Sequence, residues 1–327
     1  MKTNAEATYD WLAGLNDQQR AAATYGEGPC LVVAGAGSGK TRTLAHRVAW
    51  LLSQGVDPGR ILLLTFTRRA AQEMLRRATD IANQGPGIMG RIWGGTFHAI
   101  AHRLLRIYGS AAGLSSGFTV MDQGDAQDMM GVARSYLGLE SEASSGGRFP
   151  RKSTCLAIYS RCMAGGDDIE TVVSRYYPWC IKWTEQLKTL CREYVQRKQQ
   201  NQVLDYDDLL IYLEQLLTVD DLAREIGAMF DYVMVDEYQD TNPVQARILM
   251  GLRRFNTNIL AVGDDAQSIY SFRSATVRNM LDFPSHFPGA RVIKLEQNYR
   301  STQRILRVAN AVITRNRDRE PKTLWTE

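Results

Sequence analysis

Short runs of apolar residues alternate along the chain with longer stretches in which apolar residues recur every three or four positions. A short apolar run bounded by turn signals predicts a buried strand, whereas the wider spacing predicts an amphipathic helix. The runs that predict strands are 30–33, 61–66, 92–95, 232–235, 259–264 and 292–295. Because these strands alternate with helices, the pattern predicts an α/β fold with a parallel sheet and right-handed crossovers.

The strand pattern is interrupted between about residue 109 and residue 205. Helical spacing dominates there, broken by SSGG at 144–147 and by two glycines at 165–166. Roughly 100 residues are far too many for a loop, so we predict a mostly helical inserted domain. Its aromatic residues could bind bases, but we favour core packing for Tyr176, Tyr177, Trp179 and Trp183. Its basic residues predict a phosphate-facing surface or a solvated face, and they are Arg148, Arg151, Lys152, Arg197 and Lys198.

Composition narrows the class of protein without identifying it. The 327 residues are 44% hydrophobic and 23% charged, which is typical of a globular protein. No apolar run approaches the ~20 residues of a membrane span, and the first residues show no secretory signal, so we expect no membrane partner. The net charge of +4 is compatible with a polyanionic partner but too small to indicate one.

The five cysteines form no C-x-x-C pair. Their irregular spacing gives little support to a metal or iron–sulfur site, so we predict that the cysteines hold no metal. Reduced thiols are typical of the cytosol, and we predict a cytoplasmic location.

The first predicted strand leads into the sequence AGAGSGKT at 34–41 and then into a helix. Glycines allow backbone N–H groups to surround phosphate oxygens, and the helix N-terminus adds partial positive charge. The residues that would supply this cradle are Ala36, Gly37, Ser38 and Gly39. Lys40 can reach the β- and γ-phosphates, and the Thr41 hydroxyl can bind Mg²⁺. The first position is Ala34 where the strict pattern has glycine, and the sequence still predicts a nucleoside-triphosphate site.

The strand at 232–235 ends in Asp236 and Glu237. In this context Asp236 can hold Mg²⁺ through a water, and Glu237 can orient or deprotonate the attacking water. The carboxyl ends of parallel strands lie at one edge of the sheet, where ligands bind. We therefore expect both carboxylates beside the glycine-rich loop, at the edge that also carries Thr65, Phe66, Thr96 and His98.

Three longer segments follow in order: DEYQDTN at 236–242, GDDAQSIYSFR at 263–273 and LEQNYRST at 295–302. With the segment around Gln19 and with TFT at 65–67, they resemble the ordered motifs of superfamily 1A helicases of the UvrD/Rep/PcrA type. The segment DYDDL at 205–209 is also similar to that family. The resemblance covers nearly the whole chain. It implies a RecA-like P-loop NTPase sheet with a mostly helical inserted domain.

The resemblance implies ATP and Mg²⁺ as ligands, with roles at matching positions. Gln19 and Tyr299 would recognise adenine, with Arg42 packing nearby. The residues that would hold Mg·ATP and the attacking water are Lys40, Thr41, Asp236 and Glu237. Gln267 and Arg300 would sense the γ-phosphate, because a fixed guanidinium can neutralise charge on the transferring oxygens.

Single-stranded DNA is the second implied ligand, at Phe66, Thr96, His98, Tyr270, Phe272 and Arg273. Stacking suits a motor that grips any sequence, because every base has a π-face. Core packing is the alternative for Tyr270 and Phe272, and Arg273 beside them favours DNA. Phe272 stands where the best-known members carry tryptophan, which weakens stacking, and Ala266 stands where an aspartate is common.

We predict four segments: 1–108 and 206–290 for the two parts of the ATP-binding domain, 109–205 for the helical insertion, and 291–327 for the start of a second RecA-like lobe. Family members continue with the rest of that lobe, so we expect the chain to be an N-terminal fragment. The implied function is the motor portion of a 3′–5′ helicase or translocase acting on single strands and on junctions with duplex. We expect that the fragment alone does not unwind DNA. The alternatives are a nucleotide-binding interaction module without motor activity and the motor half of a helicase–nuclease subunit.

Overall fold

The computed structural model describes residues 10–83, 85, 87–139 and 148–327. The strands in these ranges are β1 Cys30–Ala34, β2 Ile61–Leu64, β3 Trp93–Gly95, β4 Thr119–Val120, β5 Val203–Leu204, β6 Tyr232–Val235, β7 Ile259–Gly263 and β8 Arg291–Leu295. The helices are α1 Asp17–Ala23, α2 Lys40–Ser53, α3 Arg68–Ile81, α4 Phe97–Tyr108, α5 Gln123–Tyr136, α6 Lys152–Gly165, α7 Ile169–Tyr176, α8 Thr184–Asn201, α9 Tyr206–Thr218, α10 Asp220–Ala228, α11 Pro243–Leu252, α12 Arg278–Leu281, α13 Phe283–His286 and α14 Gln303–Ile313. All six predicted strands are confirmed.

Six strands form one sheet in the order β3-β2-β6-β7-β1-β8, and every neighbouring pair is parallel. Their alternate side chains enter two hydrophobic clusters on opposite faces, so both faces are buried. Leu31 and Val33 face one cluster, which helices α4, α9 and α11 help to form. Val32 and Ala34 face the other cluster, which includes residues of α2 and α3. Burial on both faces explains why these strands read as continuous apolar runs rather than alternating ones.

Several helices of the sheet domain begin where the sequence places a capping residue. Asn16 and Asn242 each form a capping box with a glutamine three residues later, at the start of α1 and α11. Thr67 and Thr96 accept backbone N–H groups at the start of α3 and α4. Caps of this kind satisfy N–H groups that the helix leaves unpaired.

The predicted helical insertion contains α5 to α8, and these helices share a hydrophobic cluster of their own. The region also contains two short strands that the sequence pattern did not predict. The two-residue strands β4 and β5 pair in parallel at the beginning and the end of the insertion. Each is too short to produce a readable apolar run, and the pairing joins segments more than 80 residues apart in the sequence.

Two side chains of the insertion differ from our expectations. Trp179 is 64% exposed, so it is not the core residue that we favoured. Lys198 is only 2% exposed and therefore belongs to neither a phosphate-facing surface nor a solvated face. Its ammonium donates to Asp205 and Asp208 at 2.7 and 2.8 Å. A lysine can be buried when its carboxylate partners are buried beside it. The sequence pattern does not show which lysine will have such partners.

The last described strand, β8, bears on the boundary that we predicted at residue 290. It pairs with β1 from Cys30↔Arg291 to Ala34↔Leu295 and completes the first sheet. The segment after α14 also returns to this sheet, where Trp325 forms a bridge with Gln297. A boundary at 290 would therefore divide the sheet, and we propose that residues 291–295 belong with the first ATP-binding segments.

No helix in the described ranges combines the length and the apolar character that crossing a membrane requires. The five cysteines are buried free thiols. Burial raises the pKa of Cys30, Cys155, Cys162 and Cys191 to about 12.

Candidate nucleotide and DNA site

The glycine-rich loop, residues 35–39, connects β1 to α2 and has a backbone that only glycine adopts easily. Gly37 and Gly39 have φ of 77° and 87°. A Cβ at Gly37 would lie 2.8 Å from Asn298 Nδ2, and one at Gly39 would lie 2.6 Å from Gln19 Nε2. Both glycines are therefore required by backbone conformation and by close neighbours. Ser38 is fully buried, and its hydroxyl donates to the Gly35 carbonyl at 2.8 Å.

Lys40 and Thr41 lie in the first turn of α2, directly after this loop. Lys40 Nζ donates to Glu237 Oε2 at 2.9 Å, so the structure brings the loop lysine to the carboxylate at the end of β6. Asp236 precedes Glu237 and is 8% exposed. The sequence predicted this meeting of Lys40 with the Asp-Glu pair from the shared edge of the sheet.

Burial and the neighbouring Glu237 raise the pKa of Asp236 to about 6, while Lys40 acts in the opposite direction. Carboxylate and hydroxyl oxygens are the kind of ligands that Mg²⁺ prefers. The residues that would hold the ion are Asp236 and Thr41. Among the described residues, no group of three His, Cys, Asp or Glu side chains is arranged to hold a metal by itself.

Glu237 has a left-handed backbone with φ of 49°, which is uncommon for a residue other than glycine. Gln239 holds its side chain, because Gln239 Nε2 donates to Glu237 Oε2 at 2.8 Å. The other end of the same amide, Gln239 Oε1, accepts the Asp264 N–H at 2.9 Å. The left-handed backbone of Glu237 is strained, and backbone strain of this kind is characteristic of functional positions that the surrounding structure holds firmly.

Gln267 lies in a 3₁₀ turn, Asp265–Gln267, after β7. Its Nε2 donates to Asp264 Oδ2 at 2.6 Å. A chain of hydrogen bonds thus runs from Gln267 through Asp264 and Gln239 to Glu237. The residue predicted to sense the γ-phosphate is connected to the residue predicted to activate water.

Gln19 is fully buried beneath the loop. Its Nε2 donates to the Ser38 carbonyl at 2.9 Å, and its Oε1 accepts the Asn16 N–H at 3.2 Å. In this conformation the amide supports the loop, and contact with adenine requires these bonds to exchange. Adenine recognition by Gln19 stays a prediction.

Tyr299 and Arg300 follow β8 and approach the loop from the other side. The Tyr299 N–H donates to the Gly37 carbonyl at 2.9 Å, and its ring is half exposed, which suits stacking on a base. Arg300 is exposed, and its Cβ lies close to Gly37. Arg42 is also exposed and donates to the Gly14 carbonyl at 2.8 Å. All three residues lie beside the glycine-rich loop.

Sequence reasoning gave no role to Asn298, which organises this side of the loop. Its Nδ2 donates to the Ala36 carbonyl at 2.5 Å, and its Oδ1 accepts the N–H groups of Arg300 and Ser301. The residue lies inside the quoted segment 295–302, so its position was available. Its function was not, because contact with Ala36 spans more than 260 positions.

Three aromatic side chains form what we call the aromatic row: Phe66, Tyr270 and Phe272. The ring centroids of Phe66 and Tyr270 are 5.2 Å apart, and those of Tyr270 and Phe272 are 5.8 Å apart. Phe66 is 41% exposed and Phe272 is 65% exposed, so core packing does not account for Phe272. The side chain of Arg273 lies outside what the structure describes.

Phe66 and Phe272 line an open cleft of about 720 Å³ between the sheet edge and the helical insertion. Thr96 and His98 also line it, and it reaches Asp236 and Glu237. Burial lowers the pKa of His98, whose ring meets Tyr206 edge-on at 6.0 Å. The Thr96 hydroxyl, by contrast, is engaged in capping α4.

The insertion contacts the aromatic row through Arg161 of α6. Its guanidinium donates to the carbonyls of Phe272 and Ser271 at 3.0 and 3.2 Å and covers the Tyr176 ring at 3.4 Å. The cleft wall also carries carboxylates, namely Asp205, Asp207 and Asp240. Burial and Asp205 raise the pKa of Asp207 to about 7.

Comparison with known proteins identifies the family. A model of the UvrD/REP helicase N-terminal domain matches residues 15–288. The chain belongs to the UvrD/REP helicase family. The sheet is accordingly the RecA-like P-loop NTPase sheet that the motifs predicted.

Relatives within this family share more than a third of their residues with the chain. An ATP-dependent DNA helicase PcrA of Leuconostoc citreum is 39% identical over 318 residues, 96% of this chain. The PcrA of Bacillus subtilis is 38% identical over 320 residues, 97% of the chain. An ATP-dependent DNA helicase UvrD1 of Mycobacterium tuberculosis is 37% identical over 339 residues, again 97%. The chain spans 41% of the length of each of these relatives.

Proposed function

We propose that this UvrD/REP family chain is the ATP-binding motor portion of a cytoplasmic DNA helicase or translocase. The proposed motor moves 3′ to 5′ on single-stranded DNA and couples that movement to ATP hydrolysis. One observation carries the proposal: a single short segment, residues 264–272, reaches both sites. Gln267 is connected to Glu237, while Tyr270 and Phe272 belong to the aromatic row. A change at the γ-phosphate can therefore move the surface on which bases stack.

In the proposed reaction the phosphates lie on the backbone of residues 35–39, and Lys40 pairs with the β- and γ-phosphates. Lys40 then leaves Glu237, whose Oε2 stays held by Gln239 Nε2. Glu237 is thereby freed to accept a proton from the attacking water. Mg²⁺ held by Thr41 and Asp236 would neutralise charge on the β- and γ-phosphate oxygens.

The DNA part of the proposal rests on the aromatic row. Its exposed rings can stack on bases of any identity, which a motor requires. Asp205 is neutralised by Lys198, but Asp240 and the partly ionised Asp207 still repel phosphate, so we place the bases rather than the backbone against this wall. The named activities of PcrA and UvrD1 support DNA as the substrate. Contact with strand junctions and with a second RecA-like lobe in cis is part of the same proposal.

The test compares wild type with Glu237→Gln. The variant should bind Mg·ATP with unchanged affinity, while hydrolysis stimulated by single-stranded DNA falls by about 10²- to 10⁴-fold, the usual contribution of a general base. Glu185→Gln on α8 is the matched control, because that carboxylate is exposed and pairs with Lys188 of the same helix.

A second measurement addresses coupling. The affinity for labelled single-stranded DNA should differ between the ADP-bound protein and the protein bound to an ATP analogue that resists hydrolysis. Nucleotide binding with the same DNA affinity in both states would instead support an interaction module without motor activity.

A further inference from the structure

A buried lysine near the end of the chain lies against the segment that carries Gln267. Lys322 is 8% exposed, and its ammonium lies 2.9 Å from Asp264 Oδ1. It also pairs with Asp265 Oδ1, and the other oxygen of that carboxylate accepts the Glu320 N–H at 3.1 Å. Asp264 and Asp265 are themselves only 2% and 4% exposed. One buried cation therefore serves two buried carboxylates.

Asp264 is hydrogen-bonded to Gln267 directly and to Glu237 through Gln239. Its Oδ2 accepts Gln267 Nε2 at 2.6 Å, and its N–H donates to Gln239 Oε1 at 2.9 Å. Gln239 Nε2 in turn donates to Glu237 Oε2 at 2.8 Å. Gly263 permits this approach, because a Cβ there would lie 2.8 Å from Gln239 Oε1.

We propose that Lys322 is a positioning residue of the nucleotide site. It fixes the Asp264 carboxylate, and through it the orientation of the Gln267 amide toward the γ-phosphate and of Gln239 toward Glu237. The inference rests on the proposed function, since it assigns Gln267 to the γ-phosphate. Charge-assisted hydrogen bonds are stronger and geometrically stricter than neutral ones, which suits Lys322 to this task.

Other contacts hold the same terminal segment without touching Asp264. Asn310 donates to the Leu324 carbonyl at 2.8 Å and accepts the Leu324 N–H at 3.1 Å. Lys294 Nζ donates to the Pro321 carbonyl at 2.5 Å, in a hydrogen bond that is open to solvent. Substitutions at Asn310 and Lys294 therefore test whether holding the terminal segment in place is enough, independently of the Lys322 ammonium.

The experiment measures the affinities of the full chain for Mg·ATPγS and Mg·ADP by calorimetry. Lys322→Met keeps the length of the side chain and removes the charge. The preference for ATPγS over ADP should fall by about tenfold to a hundredfold, the effect of one hydrogen bond to a charged group, while ADP affinity stays unchanged. A residue that only stabilises the fold would not change this ratio.

A second variant distinguishes the loss of the ammonium from misfolding. Lys322→Met leaves two buried carboxylates without a cation, which is costly. Lys322→Met combined with Asp265→Asn keeps the net charge of the three side chains at −1 while still removing the ammonium from Asp264 (+1 − 2 = −1 in wild type, from the ion pairs of Lys322 with Asp264 and Asp265). The double variant should show the same loss of preference.

The controls are Asn310→Ala and Lys294→Met, and both should keep the wild-type preference. An unchanged preference in both Lys322 variants, an equal loss in Asn310→Ala, or failure of both Lys322 variants to fold would overturn the inference. If Lys40→Ala abolishes binding while the Lys322 variants behave as wild type, only this inference is lost. Wild-type protein that binds neither nucleotide overturns the proposed function and this inference together.

Discussion

The glycine-rich loop and the aromatic row lie at the same edge of one sheet, but the chain holds them differently. The loop is hydrogen-bonded from two sides, by Gln19 beneath it and by Asn298 and Tyr299 beside it. The aromatic row is held by ring contacts and, at its backbone, by Arg161. Two of its rings, Phe66 and Phe272, are substantially exposed.

This difference follows from what each region has to bind. A triphosphate presents the same oxygens at every encounter, so a preorganised cradle lowers the cost of ordering on binding. Bases differ in their edges and share only their flat faces, so exposed rings are the suitable surface. We therefore expect substitutions in the loop to abolish nucleotide binding. Substitutions in the aromatic row should weaken DNA binding by degrees.

The largest expected effect belongs to Lys40→Ala. Removing the ammonium should lower Mg·ATP affinity about a hundredfold or more, because the charge that would pair with the β- and γ-phosphates is lost. Calorimetry measures this, and the affinity for single-stranded DNA in the absence of nucleotide should stay unchanged. Lys152→Ala, in an exposed ion pair with Asp128, is the control. Equal ATP affinity in wild type and Lys40→Ala would remove the nucleotide assignment.

An intermediate effect is expected in the aromatic row. Phe272→Ala and Tyr270→Ala should each weaken binding of single-stranded DNA by about 1–3 kcal/mol, with little dependence on base sequence. Fluorescence anisotropy with oligo-dT and with a mixed-sequence strand measures both the size and the uniformity of the loss. Phe255→Ala is the matched control, because Phe255 is 42% exposed and lies under Arg224 away from the row. Affinities equal to wild type would return the two rings to a structural role.

The smallest expected effect is a pH dependence at His98. Burial lowers its pKa below the ordinary value of about 6.5, so folding favours the neutral ring. The stability that depends on neutral His98 is present above pH ~6.5 and is lost as the pH falls through its lower folded-state pKa. Urea unfolding between pH 7.5 and 5.5 should show wild type losing up to about 1.4 kcal/mol per pH unit more than His98→Gln. Parallel curves would show that His98 does not titrate differently on folding.

The sheet could be predicted in detail because its signals are local. All six strands of the sheet follow from apolar runs. The two-residue strands β4 and β5 could not be predicted, since nothing in two residues distinguishes them from a loop. The pairing of β8 with β1 was equally hidden, because it joins positions more than 250 residues apart.

The candidate site shows the same division. Lys40, Thr41, Asp236 and Glu237 were predicted from motif spacing and the rule that parallel strands end at one edge, and the contact of Lys40 with Glu237 agrees with it. Gln239, Asn298 and Lys322 were not assigned roles, although two of them lie inside quoted motifs. Their importance comes from hydrogen bonds between distant segments rather than from residue type.

By itself the sequence determined the class of fold, the position of the glycine-rich loop and the residues at the strand ends. These depend on the period of apolar residues, on the conformational freedom of glycine and on the geometry of parallel strands, and all three act over short distances in the chain. The tertiary structure decided that Gln19 supports the loop, that Lys198 is buried, and that Lys322 reaches Asp264. Each of these is a buried polar group, and its energy depends on partners that only folding brings within hydrogen-bonding distance.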